Sequence, residues 1–278
     1  MSDDPPIRRL GVDDLPDVVA LADRVGWANE ERRYSFLVDV GEIYGLHDPA
    51  GDDLIGTVTY TRFGPSFGAV GMMLVDPAHG GRGYGRQLMS YLLGVAGDST
   101  VALFATAAGR PLYEKLGFET VAENRSYRGR YAGERSDMTE QATDDDLGAI
   151  IDLDRVVTGC DRSLMLERFA SFAEQFRVIR EDGAISGYAG MWRHGGLSIV
   201  GPLVAGSSDA AVALAADLVA QAGGDVRIEV GDGRAELAAW AGATGLTHAA
   251  TTSVMTLHGK PLPGDRSRWF MPVTLAIG

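Results

Sequence analysis

A single cysteine, Cys160, excludes an intrachain disulfide, and no set of cysteines and histidines has the spacing of zinc ligands, so no structural metal is expected. Long apolar runs are also missing. Nothing approaches the ~20 apolar residues needed to cross a bilayer, the Ala-rich run at 210–222 included, and no membrane partner is expected. The opening MSDDPPIRRL has acidic residues and prolines where a secretory signal would have a basic start and an apolar core, which points to a cytoplasmic protein. Positive charge is short: 25 Lys and Arg against 38 Asp and Glu leave a net charge of −13. Such a surface repels a phosphate backbone, which argues against nucleic acid as a partner.

Against these absences, 45% hydrophobic and 23% charged residues are ordinary for a soluble globular chain, and 278 residues suit one large domain or two smaller ones. Periodicity and turn signals predict a strand at 7–10, helices from Leu15 and over 30–40, and strands at 42–48, 54–63 and 68–75. A helix over 84–95, a strand at 101–106, and a short helix over 110–116 closed by Gly117 follow. The second half repeats this order weakly. DDLPDVVALAD at Asp13 is echoed by DDLGAIIDLD at Asp145, and LIGTVTY at Leu54 by ISGYAGMW at Ile185, at offsets of 132 and 131. Helices over 209–222 and 233–240 and a strand at 226–230 continue the series, so two copies of one α/β fold are expected. The polar stretch 131–141 reads as the linker, giving domains 1–135 and 136–278.

The most informative segment is MMLVDPAHGGRGYGRQLMSYLL, an apolar strand running through Pro77 and four glycines into a helix. Gly80, Gly81, Gly83 and Gly85 let backbone N–H groups converge on a small anion, and the helix start adds unpaired donors. Arg82 and Arg86 bring positive charge to the same place. A phosphate or diphosphate is the natural ligand. No Gly-Lys-Ser or Gly-Lys-Thr follows, which excludes a Walker A loop, and the turn's place after a hairpin and a fourth strand does not suit a dinucleotide fingerprint.

At these residues the chain resembles the GNAT superfamily of acyl-CoA-dependent N-acyltransferases, whose fourth strand ends in Val-x-Pro ahead of a Gln/Arg-x-x-Gly-x-Gly/Ala loop and a helix. Val75-Asp76-Pro77 and Gly80 to Gly85 match, with Gly80 standing where Gln or Arg is usual. A second match is GRPLYEKLGF, in which Tyr113, Gly117 and Phe118 correspond to the superfamily's Tyr-x-x-x-Gly-Phe. An asparagine common near the start of that helix is absent, Thr106 being at about that place.

The resemblance implies a mixed, mostly antiparallel sheet flanked by helices, with strands four and five splayed in the first half. It implies acetyl-CoA as cosubstrate, held by Gly80, Gly81, Arg82, Gly83, Tyr84, Gly85 and Arg86 and by the main chain of Met73 and Val75. Tyr113 would protonate the departing thiolate, and Trp27 and Asn29 would border a small-molecule amine acceptor. A phenol of pKa ~10 can donate to a thiolate whose parent pKa is ~8.5. Strand four carries no Asp, Glu or His at 67–75, and no general base is assigned. The second half lacks a glycine cluster and arginine at GPLVAGSSDAAVAL and has Leu237, Trp240 and Ala241 where the tyrosine belongs, so it resembles a degenerate partner domain that closes one side of the acceptor pocket. A non-catalytic acyl-CoA sensor is the alternative, and the oligomeric state is left open, a homo-oligomer included.

Overall fold

In the computed structural model, residues 6–27, 31–51 and 53–277 are described. The first half runs β1 (Ile7–Leu10), α1 (Leu15–Arg24), α2 (Glu31–Val40), β2 (Glu42–His47), β3 (Leu54–Arg62) and β4 (Phe67–Val75). It continues with α3 (Tyr84–Ala96), β5 (Thr100–Ala105), α4 (Arg110–Lys115) and β6 (Phe118–Arg130). After β7 (Glu140–Gln141) the order recurs as α5 (Leu147–Thr158), α6 (Ser163–Phe172), β8 (Gln175–Glu181), β9 (Ala184–His194) and β10 (Leu197–Val204). Then come α7 (Ser208–Val219), β11 (Asp225–Gly231), α8 (Ala235–Ala243), β12 (Thr247–Leu257) and β13 (Trp269–Met271). The expected element order is present in both halves, with ends within two or three residues of the pattern.

The described strands form one 13-stranded sheet in the order β1-β2-β3-β4-β5-β12-β6-β11-β10-β9-β8-β7, with β13 on β10. Only β4–β5 and β10–β11 pair in parallel. The sequence does not anticipate the centre of this sheet: β12 lies between β5 and β6, and β6 pairs with β11. The first half thus lends β6 to β11 of the second, and the second lends β12 to β5 of the first. Thirteen-residue β6 and eleven-residue β12 supply the reach, and their antiparallel pairing fills the seam.

Successive residues of a strand face opposite sides, so Ile43 joins one core and Tyr44 another. On one face α1, α2, α5 and α6 share a single core across both halves, where Phe36 stacks on Phe172 at 4.5 Å. On the other face α3 and α4 cover the first half, and α7 and α8 the second. Helix α3 buries Leu88, Met89, Leu92 and Ala96 and leaves Tyr91, which the apolar spacing also places on the inner stripe, 40% exposed.

The linker is tied down. Asp217 of α7, fully buried, accepts hydrogen bonds from Ser136 N (2.8 Å), Asp137 N (3.0 Å) and Thr139 Oγ1 (2.7 Å). Although burial works to raise its pKa, these bonds hold the carboxyl below the ordinary range.

Candidate active site

Parallel pairing of β4 with β5 runs from Phe67/Thr100 to Val70/Leu103 and stops there. Beyond that point β4 bulges. Its register against β3 shifts, Met72 adopts φ +44°, and Thr57 Oγ1 donates to Met72 O at 3.1 Å. The two strands then part, leaving the main chain of Met73 to Val75 with no strand partner on the β5 side among the described residues. At the top of the opening Asp76 caps a 3₁₀ turn at Pro77–His79, accepting from Ala78 N at 2.9 Å, and forms an ion pair with Arg24 at 2.6 Å. The Ala78 amide, ahead of Arg24, overcomes the burial penalty and keeps the Asp76 carboxyl below its ordinary pKa.

Gly81 and Gly83 have φ of +76° and +86°, conformations that cost a side-chain-bearing residue about 1 kcal/mol or more. Nothing lies within 4 Å of where their Cβ atoms would be, so the turn is open to a ligand. Gly83 is the N-cap of α3 and provides no side-chain cap, which leaves the first-turn N–H groups of Tyr84, Gly85 and Arg86 unsatisfied by side chains. Arg82 and Arg86 are exposed and make no ion pair among the described residues. Gly85 packs closely instead: a Cβ there would come within 2.8 Å of Met73 Cε and displace that side-chain end.

Below the loop lies a cavity of about 480 Å³ lined from both halves. The first half contributes Trp27, Arg33, Gly71 to Met73, Thr106, Leu112 and Tyr113. Tyr113 projects from α4, 9% exposed, with its ring edge-on to Phe118 at 6.0 Å. Its hydroxyl has no hydrogen-bond partner among the described residues, and burial pushes its pKa up to about 12. At neutral pH it holds its proton and can act only as an acid. Trp27 is 39% exposed at the cavity's edge, with the Arg33 guanidinium 5.9 Å from its ring centroid. Asn29 lies outside the described residues. Thr106 accepts from Gly109 N at 3.2 Å, shaping the start of α4.

The second half contributes residues that sequence reasoning missed: Trp192 and His194 from β9, Arg227 and Glu229 from β11, Ala250 and Thr252 from β12, and the terminal Thr274 to Ala276. Arg33 Nη1 lies 3.3 Å from His194 Nε2 across the two halves. Glu42 and His47 are engaged with Tyr44, Arg9 and Arg8 outside this cavity. The signal that would have found Arg227 and Glu229 is the alternation Val-Arg-Ile-Glu-Val at 226–230, in which the three apolar residues enter the core under α7 and α8.

The equivalent opening in the second half is closed. Strand β13 pairs with β10 at Leu203/Met271 and Val204/Trp269, filling the slot beside β11 with the chain's own backbone.

The acetyltransferase (GNAT) domain family matches this chain twice, at residues 39–120 and again at 150–271. The chain is a tandem member of the GNAT superfamily. It is 27% identical to the uncharacterized N-acetyltransferase YitH of Bacillus subtilis over 236 residues, 80% of each chain. A crystal structure of a candidate acetyltransferase from Pyrococcus horikoshii superposes with a TM-score of 0.84 at 19% identity, covering 100% of this chain and 97% of the other. A tandem GNAT protein of the clavulanic acid biosynthesis pathway matches with a TM-score of 0.66 at 12% identity, over 92% of this chain and 99% of its own. The two family matches and the N-acetyltransferase relative mark a GNAT acyltransferase, the solved structures share its tandem fold, and the open first-half slot beside the plugged second-half slot distinguishes its two GNAT units.

Proposed function

We propose that this GNAT protein transfers an acetyl group from acetyl-CoA to the primary amine of a small molecule by direct attack, with all cosubstrate chemistry in residues 1–135 and the second domain, 136–278, forming part of the acceptor wall. Acetyl-CoA supplies the thioester carbonyl. The N–H groups at Gly81 to Arg86, with Arg82 and Arg86, would hold its diphosphate, and the unpartnered main chain of Met73 and Val75 would pair with the pantetheine as an added strand. A main-chain N–H of the same strand would polarise the carbonyl. Trp27 at the mouth would border the acceptor, as would Asn29.

The observation that carries this reading is convergence: the open β4–β5 slot and the buried Tyr113 hydroxyl line one cavity. With its pKa pushed up to about 12, Tyr113 is a reluctant acid toward a thiolate of ~8.5 in water. The thiolate, however, forms in the same desolvated space, where its own basicity rises. Tyr113→Phe keeps the ring and its contact with Phe118 and removes only the proton. The expected outcome is a kcat lowered by about 10²- to 10⁴-fold with acetyl-CoA affinity nearly unchanged, read from thiol release and calorimetry. Unchanged kcat would remove Tyr113 from the chemistry, and acetyl-CoA binding without thiol release from any amine would favour a sensor.

A further inference from the structure

The cavity floor is the strand-exchange seam, and its polar groups form one connected set. Glu229, 2% exposed, lies directly across from Ser126 of β6, which in turn faces Ala250 of β12. Oε2 of Glu229 accepts from Asn124 Nδ2 at 2.6 Å and Ser126 Oγ at 2.7 Å. Oε1 accepts from Arg227 Nε at 2.6 Å and lies 2.5 Å from the same guanidinium's second nitrogen. An ionised carboxylate offers about four lone-pair directions, and these four donors occupy them. Glu229 therefore has no lone pair left for a substrate ammonium. What it does is fix Arg227.

Arg227 is held along its Nε edge, with its second nitrogen 3.4 Å from Ser126 Oγ. Its remaining terminal nitrogen has no hydrogen-bond partner among the described residues, and the side chain, 32% exposed, lines the cavity. Among the described residues, Glu229 is the one acid lining the cavity, against the guanidiniums of Arg33 and Arg227. The described lining thus carries net positive charge inside a protein of net charge −13. A scaffold gains little from burying such a pair where an apolar pair would pack as well, so a held and partly open guanidinium points to ligand recognition.

We propose that Arg227 binds the carboxylate of the acceptor, and that the acceptor class is a primary amine that also bears a carboxylate, as a free amino acid does. This deepens the acetyltransferase reading and rests on it. Asn124, Ser126 and Glu229 act as positioning residues. Since β6 comes from the first half and β11 from the second, neither half alone presents this group.

The test uses the full chain and matched probes differing only in the carboxylate: the twenty amino acids beside decarboxylated partners such as 1,5-diaminopentane for lysine, 2-phenylethylamine for phenylalanine and tryptamine for tryptophan. Thiol release gives kcat/KM for each. The carboxylated member of at least one pair is expected to exceed its partner by about tenfold or more. Arg227→Gln combined with Glu229→Gln keeps the seam neutral and hydrogen-bonded, so it guards against simple unfolding. It is expected to lower kcat/KM for the carboxylated probe by about tenfold to hundredfold while the decarboxylated probe and the KM for acetyl-CoA stay within about twofold. Equal losses for both probes, or preference for the decarboxylated one, would overturn the carboxylate assignment and leave acetyl transfer standing. Acetyl-CoA binding without turnover of any probe would overturn it as well, whereas failure to bind acetyl-CoA would sink the parent reading.

Discussion

Two residues on opposite sides of the cavity show how environment decides a side chain's chemistry. Tyr113 is a common phenol made a very weak acid by burial alone, and Glu229 is a carboxylate whose lone pairs are spent on neighbours. Raising a tyrosine's pKa favours its neutral form, so Tyr113 stays protonated across the range in which an ordinary tyrosine begins to ionise. The expected kcat profile therefore shows no descending limb between about pH 8 and about pH 10; a fall with a midpoint near 10 in the wild type, absent in Tyr113→Phe, would show that the phenol titrates normally. Tyr113 and the glycine turn were legible in the sequence because both signals are local: five residues of spacing in one case, a strand running into a helix in the other. Glu229 and Arg227 were not. Their alternation on β11 marks a polar face, but what that face meets is decided by Asn124 and Ser126, more than a hundred residues earlier.

At the scale of elements, the loop, the bulge and the linker each depend on a small set of hydrogen bonds. The bulge at Met72 separates β4 from β5, and the uncapped start of α3 faces the resulting opening. The element order was readable from periodicity, since α3 and β4 carry clean apolar patterns. The linker looked featureless for a physical reason: its order comes from Asp217, near the end of an Ala-rich helix, which receives the N–H groups of Ser136, Asp137 and Thr139. Asp217→Asn puts an amide N–H₂ against those donors and is expected to destabilise the protein by about 2 kcal/mol in denaturant unfolding. Because the folded pKa of Asp217 is depressed, its contribution is present above the unfolded value near 3.8 and is lost as pH falls through the folded one. The difference between wild type and variant should accordingly shrink only in strong acid. A constant difference down to the acid limit would assign the effect to packing.

For the whole molecule, strand exchange makes two similar halves into one cooperative unit. Residues 1–135 taken alone would lose β12 from the edge of β5 and β11 from the far edge of β6, exposing both to solvent with no partner between them. That fragment is expected to be insoluble or unfolded, and the full chain to unfold in one transition by near- and far-ultraviolet dichroism. Two resolved transitions, or a folded active fragment, would contradict the exchange. The same topology sets the two halves apart: β13 plugs the second slot, the first stays open, and residues of the seam line the cavity beside it. The most direct test of this account is a crystal structure of the full chain with bound CoA. The account predicts the diphosphate on the amides of Gly81 to Arg86, the pantetheine between β4 and β5, and the sulfur within hydrogen-bond reach of the Tyr113 hydroxyl. A diphosphate bound elsewhere, or β4 and β5 paired along their full length, would contradict it.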